Sequence, residues 1–216
     1  MDSIDYVKLY ELQDKVLDIV FDTESIFYLT GGTCLSRFYY EKRYSDDLDF
    51  FTHANIEFNR GIREIKIALS KKFTVVEEVT SKDFIRFKIE DLLQIDFVND
   101  RIMRYESLNY LDNGYIIDNC KNIFANKITA VIGRDNPKDI FDIYLLDKFT
   151  DFDFQEIITV AHEKAGFSND DLIIRLKTFP LFLLKNIVLK DLSFLDDFDK
   201  EYKQLIEHIE KKISKR

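Results

Sequence analysis

Glycine and proline are scarce in this chain, six and two among 216 residues. A protein built mainly of short strands and tight turns needs more of both, so an all-β architecture is disfavoured and many helices with a limited sheet are expected. Cysteine is as rare. Cys34 and Cys120 lie far apart, neither with a second cysteine at metal-ligand spacing, and His53, His162 and His208 are equally scattered. That pattern argues against zinc, thiol redox chemistry and a Cys/His dyad. No run approaches the roughly 18 consecutive apolar residues of a membrane span. Met1-Asp2-Ser3-Ile4-Asp5 is acidic where a secretion signal is basic. A cytoplasmic protein with no membrane partner is expected. Basic residues are outnumbered, 31 Lys+Arg against 40 Asp+Glu, for a net charge of −9. The bulk field therefore repels nucleic acid, and any such partner needs a local basic patch.

What is present is a core. Hydrophobic residues make up 46% of the chain, with 20 Phe and 11 Tyr spread along it, which excludes disorder. No repeat and no Pro- or Ser-rich linker divides it. Residues 4–21 carry Leu9, Leu12, Val16 and Ile19 at helical spacing. Ile26-Phe27-Tyr28-Leu29 reads as a strand ending at Thr30-Gly31-Gly32-Thr33, with a helix from about Cys34 to Tyr40. Asp47–Phe51 is a second strand, and 57–72 a helix with Arg60, Arg63 and Lys66 on one face. Phe73–Val79, Phe84–Ile89 and Leu92–Val98 suggest an antiparallel meander. From about Asn119 the texture becomes helical: a helix around Lys127, another from Pro137 to Phe149, then 153–166, 169–190 and 197–213. The expected class is α+β, with a mixed half up to 118 and an all-α half from 119.

Three segments carry chemistry. Positions i and i+2 of a strand share a face, so Asp47 and Asp49 project together while Leu48 and Phe50 point into the core. Paired carboxylates repel unless a cation lies between them, and oxygen clusters suit Mg²⁺. Alone, Asp-x-Asp reads more simply as a solvated strand end. Leu93-Gln94-Ile95-Asp96-Phe97-Val98 is an apolar strand holding one acid, which must be paired, coordinated or exposed at an edge. Beside the first acid strand it brings three carboxylates together, enough for a two-metal phosphoryl-transfer site. Gly31-Gly32-Thr33 lets backbone approach a ligand and puts helix N-terminal N–H groups at hand for phosphate. Together these features ask for a nucleoside triphosphate with Mg²⁺.

Leu29-Thr30-Gly31-Gly32-Thr33-Cys34-Leu35, followed by Arg43-Tyr44-Ser45-Asp46-Asp47-Leu48-Asp49-Phe50, resembles the first motif of the AbiEii/MenT nucleotidyltransferases, toxins of bacterial toxin–antitoxin and phage-defence systems within the DNA polymerase β-like superfamily. Asn122 to Arg134, then Lys138-Asp139-Ile140-Phe141-Asp142-Ile143-Tyr144, resembles the family's second block, with Lys138 where the family has Arg. The resemblance implies a polymerase β-like nucleotidyltransferase core over 1–118 and a helical domain over 119–216 that completes the nucleotide site. It implies Asp47, Asp49 and Asp96 as catalytic metal ligands, Asp96 serving alternatively as base. Two Mg²⁺ ions are implied, with Mn²⁺ as the alternative. Gly31, Gly32, Thr33, Ser45 and Arg43 would line the nucleotide, Lys127 would meet its phosphates, and Asp139 and Asp142 hold the second block's acid positions. The implied activity moves NMP from an NTP to a hydroxyl, with the tRNA 3′ end as acceptor and an antitoxin as partner.

Two other readings stand beside it. One is a nucleotide- or partner-binding module of the same fold without catalysis. The other takes Asp-x-Asp as a glycosyltransferase metal motif, which explains neither Gly31-Gly32 nor the Lys127 helix. For an RNA partner the residues from Arg60 to Lys72 are the first candidate patch, although a solvated helix face is the plainer account. The basic tail Lys211-Lys212-Ile213-Ser214-Lys215-Arg216 is a second candidate.

Overall fold

The structure is a computed structural model describing residues 4–54, 56–102 and 104–213; Met1, Asp2 and Ser3, and the tail residues Ser214, Lys215 and Arg216, lie outside it. In chain order the elements are α1 (Tyr6–Thr23), β1 (Tyr28–Thr30), α2 (Gly31–Phe38), β2 (Asp47–Thr52), α3 (Phe58–Ser70), β3 (Val75–Thr80), β4 (Phe84–Ile89), β5 (Leu93–Asn99), β6 (Asn109–Tyr110), β7 (Ile116–Ile117), α4 (Cys120–Gly133), α5 (Pro137–Phe149), α6 (Phe154–Lys164), α7 (Asn169–Thr178) and α8 (Phe198–Ile213). The class is α+β, with the helices concentrated in the second half. Among the described residues no helix is long and apolar enough to cross a membrane.

The chain forms two compact units: Met1–Cys34, Ser45–Met103 and Ser107–Asp118 in one, and Leu35–Tyr44, Arg104–Glu106 and Asn119–Arg216 in the other. The division falls inside α2.

Among its described residues the first unit holds a seven-stranded mixed sheet in the order β3-β4-β5-β2-β1-β7-β6. The expected meander β3-β4-β5 is antiparallel throughout, whereas β5 runs parallel to β2. Alternation along β2, β4 and β5 sends Leu48, Phe50, Ile85, Phe87, Ile89, Ile95 and Phe97 into the core. Leu9, Val16, Ile62, Ile65 and Leu69 of α1 and α3 are buried with them. Phe97 is the hub: Phe50 stacks on it at 5.3 Å, and Phe27 and Phe87 meet it edge-on at 5.2 and 5.6 Å.

The second unit is a helical bundle whose starts are written in its sequence. Asn119 accepts a bond from the Asn122 N–H to cap α4, Asn136 caps α5 with Pro137 behind it, and Ser168 with Asp171 forms a reciprocal capping box on α7. The single helix expected over 169–190 is instead α7, ending at Thr178, followed by a 3₁₀ turn over Leu181–Asn186. Pro180 accounts for the break, since it lacks an N–H and disfavours helical geometry before it. The segment 35–44 belongs here: Tyr40 stacks on Phe149 at 5.3 Å, and Arg43 bridges to Leu189.

Candidate active site

In the α+β unit, strand register sets up a row of polar side chains. Thr30 of β1 pairs with Asp49 of β2, Asp49 with Asp96 of β5, and Asp96 with Arg86 of β4. One step along, Asp47 pairs with Gln94 and Gln94 with Lys88. These side chains share the face opposite the core, because Leu48, Phe50, Ile95 and Phe87 alternate with them. Asp47 and Asp49 are half-buried, and Asp96 is 8% exposed.

The turn before α2 closes on this row. Gly31 has φ +70°, and an added Cβ would collide with Asp49 Oδ2 and lie 3.2 Å from its Cγ. Only glycine meets both conditions. The helix after it starts three residues earlier than its apolar pattern suggests and includes Gly31, Gly32 and Thr33 in its first turn. Thr33 donates its hydroxyl to the Asp47 carbonyl, tying that turn to the start of β2. Ser45 is buried and its backbone is pinned to α1: its N–H donates to the Tyr10 hydroxyl at 3.2 Å, and its carbonyl accepts from Gln13 at 3.0 Å. Below the turn the Thr30 hydroxyl donates to the buried Asp118 carboxylate at 2.6 Å.

The three carboxylates expected to share a cation are adjacent but not equivalent. Arg86 donates from Nε and Nη2 to the two oxygens of Asp96, each at 2.7 Å, and Gln94 adds a bond of 3.3 Å. Hydrogen bonding to Asp96 holds the Arg86 guanidinium above its ordinary pKa. Among the described residues, no three acidic, histidine or cysteine side chains are disposed to hold an ion. Asp47 and Asp49 together still fit Mg²⁺, which takes one or two carboxylates, keeps several waters and completes its shell with substrate phosphate oxygens.

Arg43, Lys127, Asp139 and Asp142 meet in the helical unit as one buried network. Arg43 donates to both oxygens of Asp142 at 2.7 and 2.8 Å, and Lys127 Nζ lies 2.8 Å from Asp139 and 2.8 Å from Asp142. Arg134 adds two bonds to Asp139. Arg43 is 1% exposed, Asp142 1% and Asp139 0%. Burial works against the Lys127 charge, but Asp142 and Asp139 outweigh it and hold the ammonium above its ordinary pKa. Among the described residues Lys127 has two carboxylate partners for its three N–H donors, which leaves one donor over. The acid pair is therefore more than a favourable charge at the α5 N-terminus.

Outside these clusters, Arg60 of the α3 face is held by Glu24 at 2.6 Å and Lys66 by Glu77 at 2.7 Å. Arg63, Lys71 and Lys72 are exposed. His53 bonds the Asp100 carbonyl at 3.0 Å and lies beyond the far end of β2 from Asp47. Arg86 is the site residue that motif reading passes over; the alternation Phe84-Ile85-Arg86-Phe87-Lys88-Ile89 marks it as facing away from the core.

Comparison with known proteins agrees with this arrangement. The family model of the AbiEii nucleotidyl transferase toxin of type IV toxin–antitoxin systems matches residues 18–215. An uncharacterised protein of Aquifex aeolicus is 29% identical over 161 residues, covering 72% of this chain and 73% of its own. JHP933 from Helicobacter pylori shares the fold with TM-score 0.63 at 21% identity, covering 100% of this chain and 96% of that one. MenT4, a nucleotidyltransferase toxin from Mycobacterium tuberculosis, shares it with TM-score 0.62 at 12% identity, covering 95% and 84%. With a family match over nearly its whole length and an acid strand facing a glycine turn, the chain belongs to the AbiEii nucleotidyl transferase toxin family and is a nucleotidyltransferase.

Proposed function

We propose that this enzyme uses Mg²⁺ to move NMP from an NTP to a hydroxyl at the 3′ end of tRNA, and that an antitoxin restrains the resulting growth arrest. The observation that carries this reading is the pair Asp47 and Asp49 on one face of β2, with the Gly31 turn folded against the Asp49 carboxylate. Asp47 and Asp49 would hold the divalent ion, which when bound supplies positive charge for the triphosphate and polarises the attacking hydroxyl. Backbone N–H groups of Gly31, Gly32 and Thr33, at the start of α2, face the phosphates, with Ser45 fixed beside them. The acceptor oxygen bonds the α-phosphorus as the bond to the bridging oxygen breaks, and pyrophosphate leaves. Asp96, oriented by Arg86, takes the proton of the attacking hydroxyl as the new bond forms and passes it to solvent. In the helical unit, Lys127 keeps one N–H for an anion.

Purified protein incubated with each α-labelled NTP, Mg²⁺ and total tRNA transfers label from at least one nucleotide on this reading. Asp47→Asn abolishes transfer without changing the melting temperature. Label in no RNA or protein, with NTP binding intact by calorimetry, identifies a binding module and ends the transfer proposal. Expression that arrests growth only without the neighbouring gene tests the antitoxin.

A further inference from the structure

Asp96 already has a cation. Its backbone pairs with Arg86 on one side and with Asp49 on the other, so guanidinium, Asp96 and Asp49 follow one another across three strands. The two 2.7 Å bonds run from separate nitrogens to separate oxygens, the fork-to-fork geometry in which a guanidinium is held most firmly. Gln94 adds a third donor to the same carboxylate. The Asp47 carboxylate, by contrast, accepts no hydrogen bond among the described residues and meets Arg86 only through its charge.

A divalent ion bridging Asp49 and Asp96 would have to sit next to a fixed positive charge and compete with it for the same two oxygens. Arginine cannot lose its proton to make room. The carboxylates are thus sorted by what faces them rather than by residue type.

We propose that Arg86 is a positioning residue that keeps Asp96 out of the metal shell, so that the resident divalent ion is carried by Asp47 and Asp49 and Asp96 serves the acceptor hydroxyl. This rests on the reading of Asp47 and Asp49 as ion ligands. It makes the ion of the nucleotide-free enzyme weakly bound, because two carboxylates hold it instead of three. It also gives a counterintuitive consequence: deleting a side chain beside the site tightens metal binding, whereas a merely structural arginine gives unchanged or weaker binding when removed.

The experiment is Mn²⁺ titration of the full chain without nucleotide, followed by electron paramagnetic resonance of the free ion, on wild type, Arg86→Gln, Arg86→Lys, Asp47→Asn and the double variant Arg86→Gln/Asp96→Asn. Arg86→Gln is expected to bind Mn²⁺ about tenfold tighter, opposite in sign to the roughly 10–100-fold loss that follows when a partner that supports a metal ligand is removed. The double variant returns to the wild-type value, which ties the gain to Asp96. Arg86→Lys, which keeps the charge but loses the fork, tightens less, and it decides the matter if Arg86→Gln does not fold. Unchanged or weaker binding in the folded Arg86 variants, with Asp47→Asn still abolishing it, overturns this inference alone. Mn²⁺ binding that Asp47→Asn leaves intact overturns the assignment of the ion to Asp47 and Asp49, and this inference with it.

Discussion

Asp49 occupies the space that a side chain at Gly31 would need. A substitution there is opposed twice, by a φ of +70° that L residues rarely adopt and by direct overlap with Asp49 Oδ2. Gly31→Ala is expected to lose about 1–3 kcal/mol of stability and to depress nucleotidyl transfer more than that loss explains, since it displaces the proposed metal ligand. Gly133 is the matched control. It sits in α4 with open space around its would-be Cβ, so Gly133→Ala should leave activity intact and be neutral or stabilising by up to about 1 kcal/mol. Chemical denaturation and transfer assays on both variants read the contrast.

Asp142 is buried between Arg43 and Lys127. Asp142→Ala takes the carboxylate from buried Arg43 and leaves Lys127 with Asp139 alone, and should cost roughly 3–5 kcal/mol by urea unfolding. Glu77→Ala breaks the exposed pair with Lys66 and should cost under about 1 kcal/mol.

The same network sets an acid limit. Burial alone would raise both carboxyls, but Arg43 and Lys127 at Asp142, and Lys127 and Arg134 at Asp139, hold them below the ordinary aspartate range. The folded chain binds these protons less readily than the unfolded one. Their contribution is complete above about pH 4 and is lost as pH falls through the depressed values. Melting temperature should therefore hold above about pH 4 and fall progressively as pH drops below it, through the depressed folded-state values. In Asp142→Asn the starting value is lower and the drop shallower.

On α3, charge alone is a poor guide to an RNA contact. Arg60 and Lys66 are neutralised by Glu24 and Glu77, while Arg63, Lys71 and Lys72 are exposed. If tRNA docks on this face, Arg63→Ala with Lys71→Ala and Lys72→Ala should weaken binding and reduce its salt slope, each lost contact removing about one unit. Arg60→Ala should affect binding less than stability. Equal salt slopes in the triple variant and wild type place the RNA elsewhere.

The acid strands are legible in sequence because alternation announces them. Asp47 and Asp49 flank Leu48, and Asp96 interrupts an apolar run. Their adjacency is not local information: it depends on β5 lying parallel to β2, a crossover that periodicity does not encode. Arg86 is hidden for a related reason. Once Ile89 pairs with Leu93, counting back three and forward three brings Arg86 opposite Asp96, but the hairpin turns on Glu90 and Asp91 at φ 51° rather than on glycine, so its register carries no familiar signature. Lys127 is readable as a helix position, yet the partners that occupy it come from α5 and are set by packing. β6 and β7, two residues each, are too short to show a period.

The pairing of β2 with β5 has one more consequence. Asp49 stands opposite Asp96 in the same register that sets Leu48 opposite Ile95 and Phe50 opposite Phe97. A slip of one residue would turn the acids inward and the aromatics outward. The chemistry therefore has no assembly problem of its own: proofreading by the core is proofreading of the acids, and a chain that has completed its hydrophobic interior has already aligned its carboxylates.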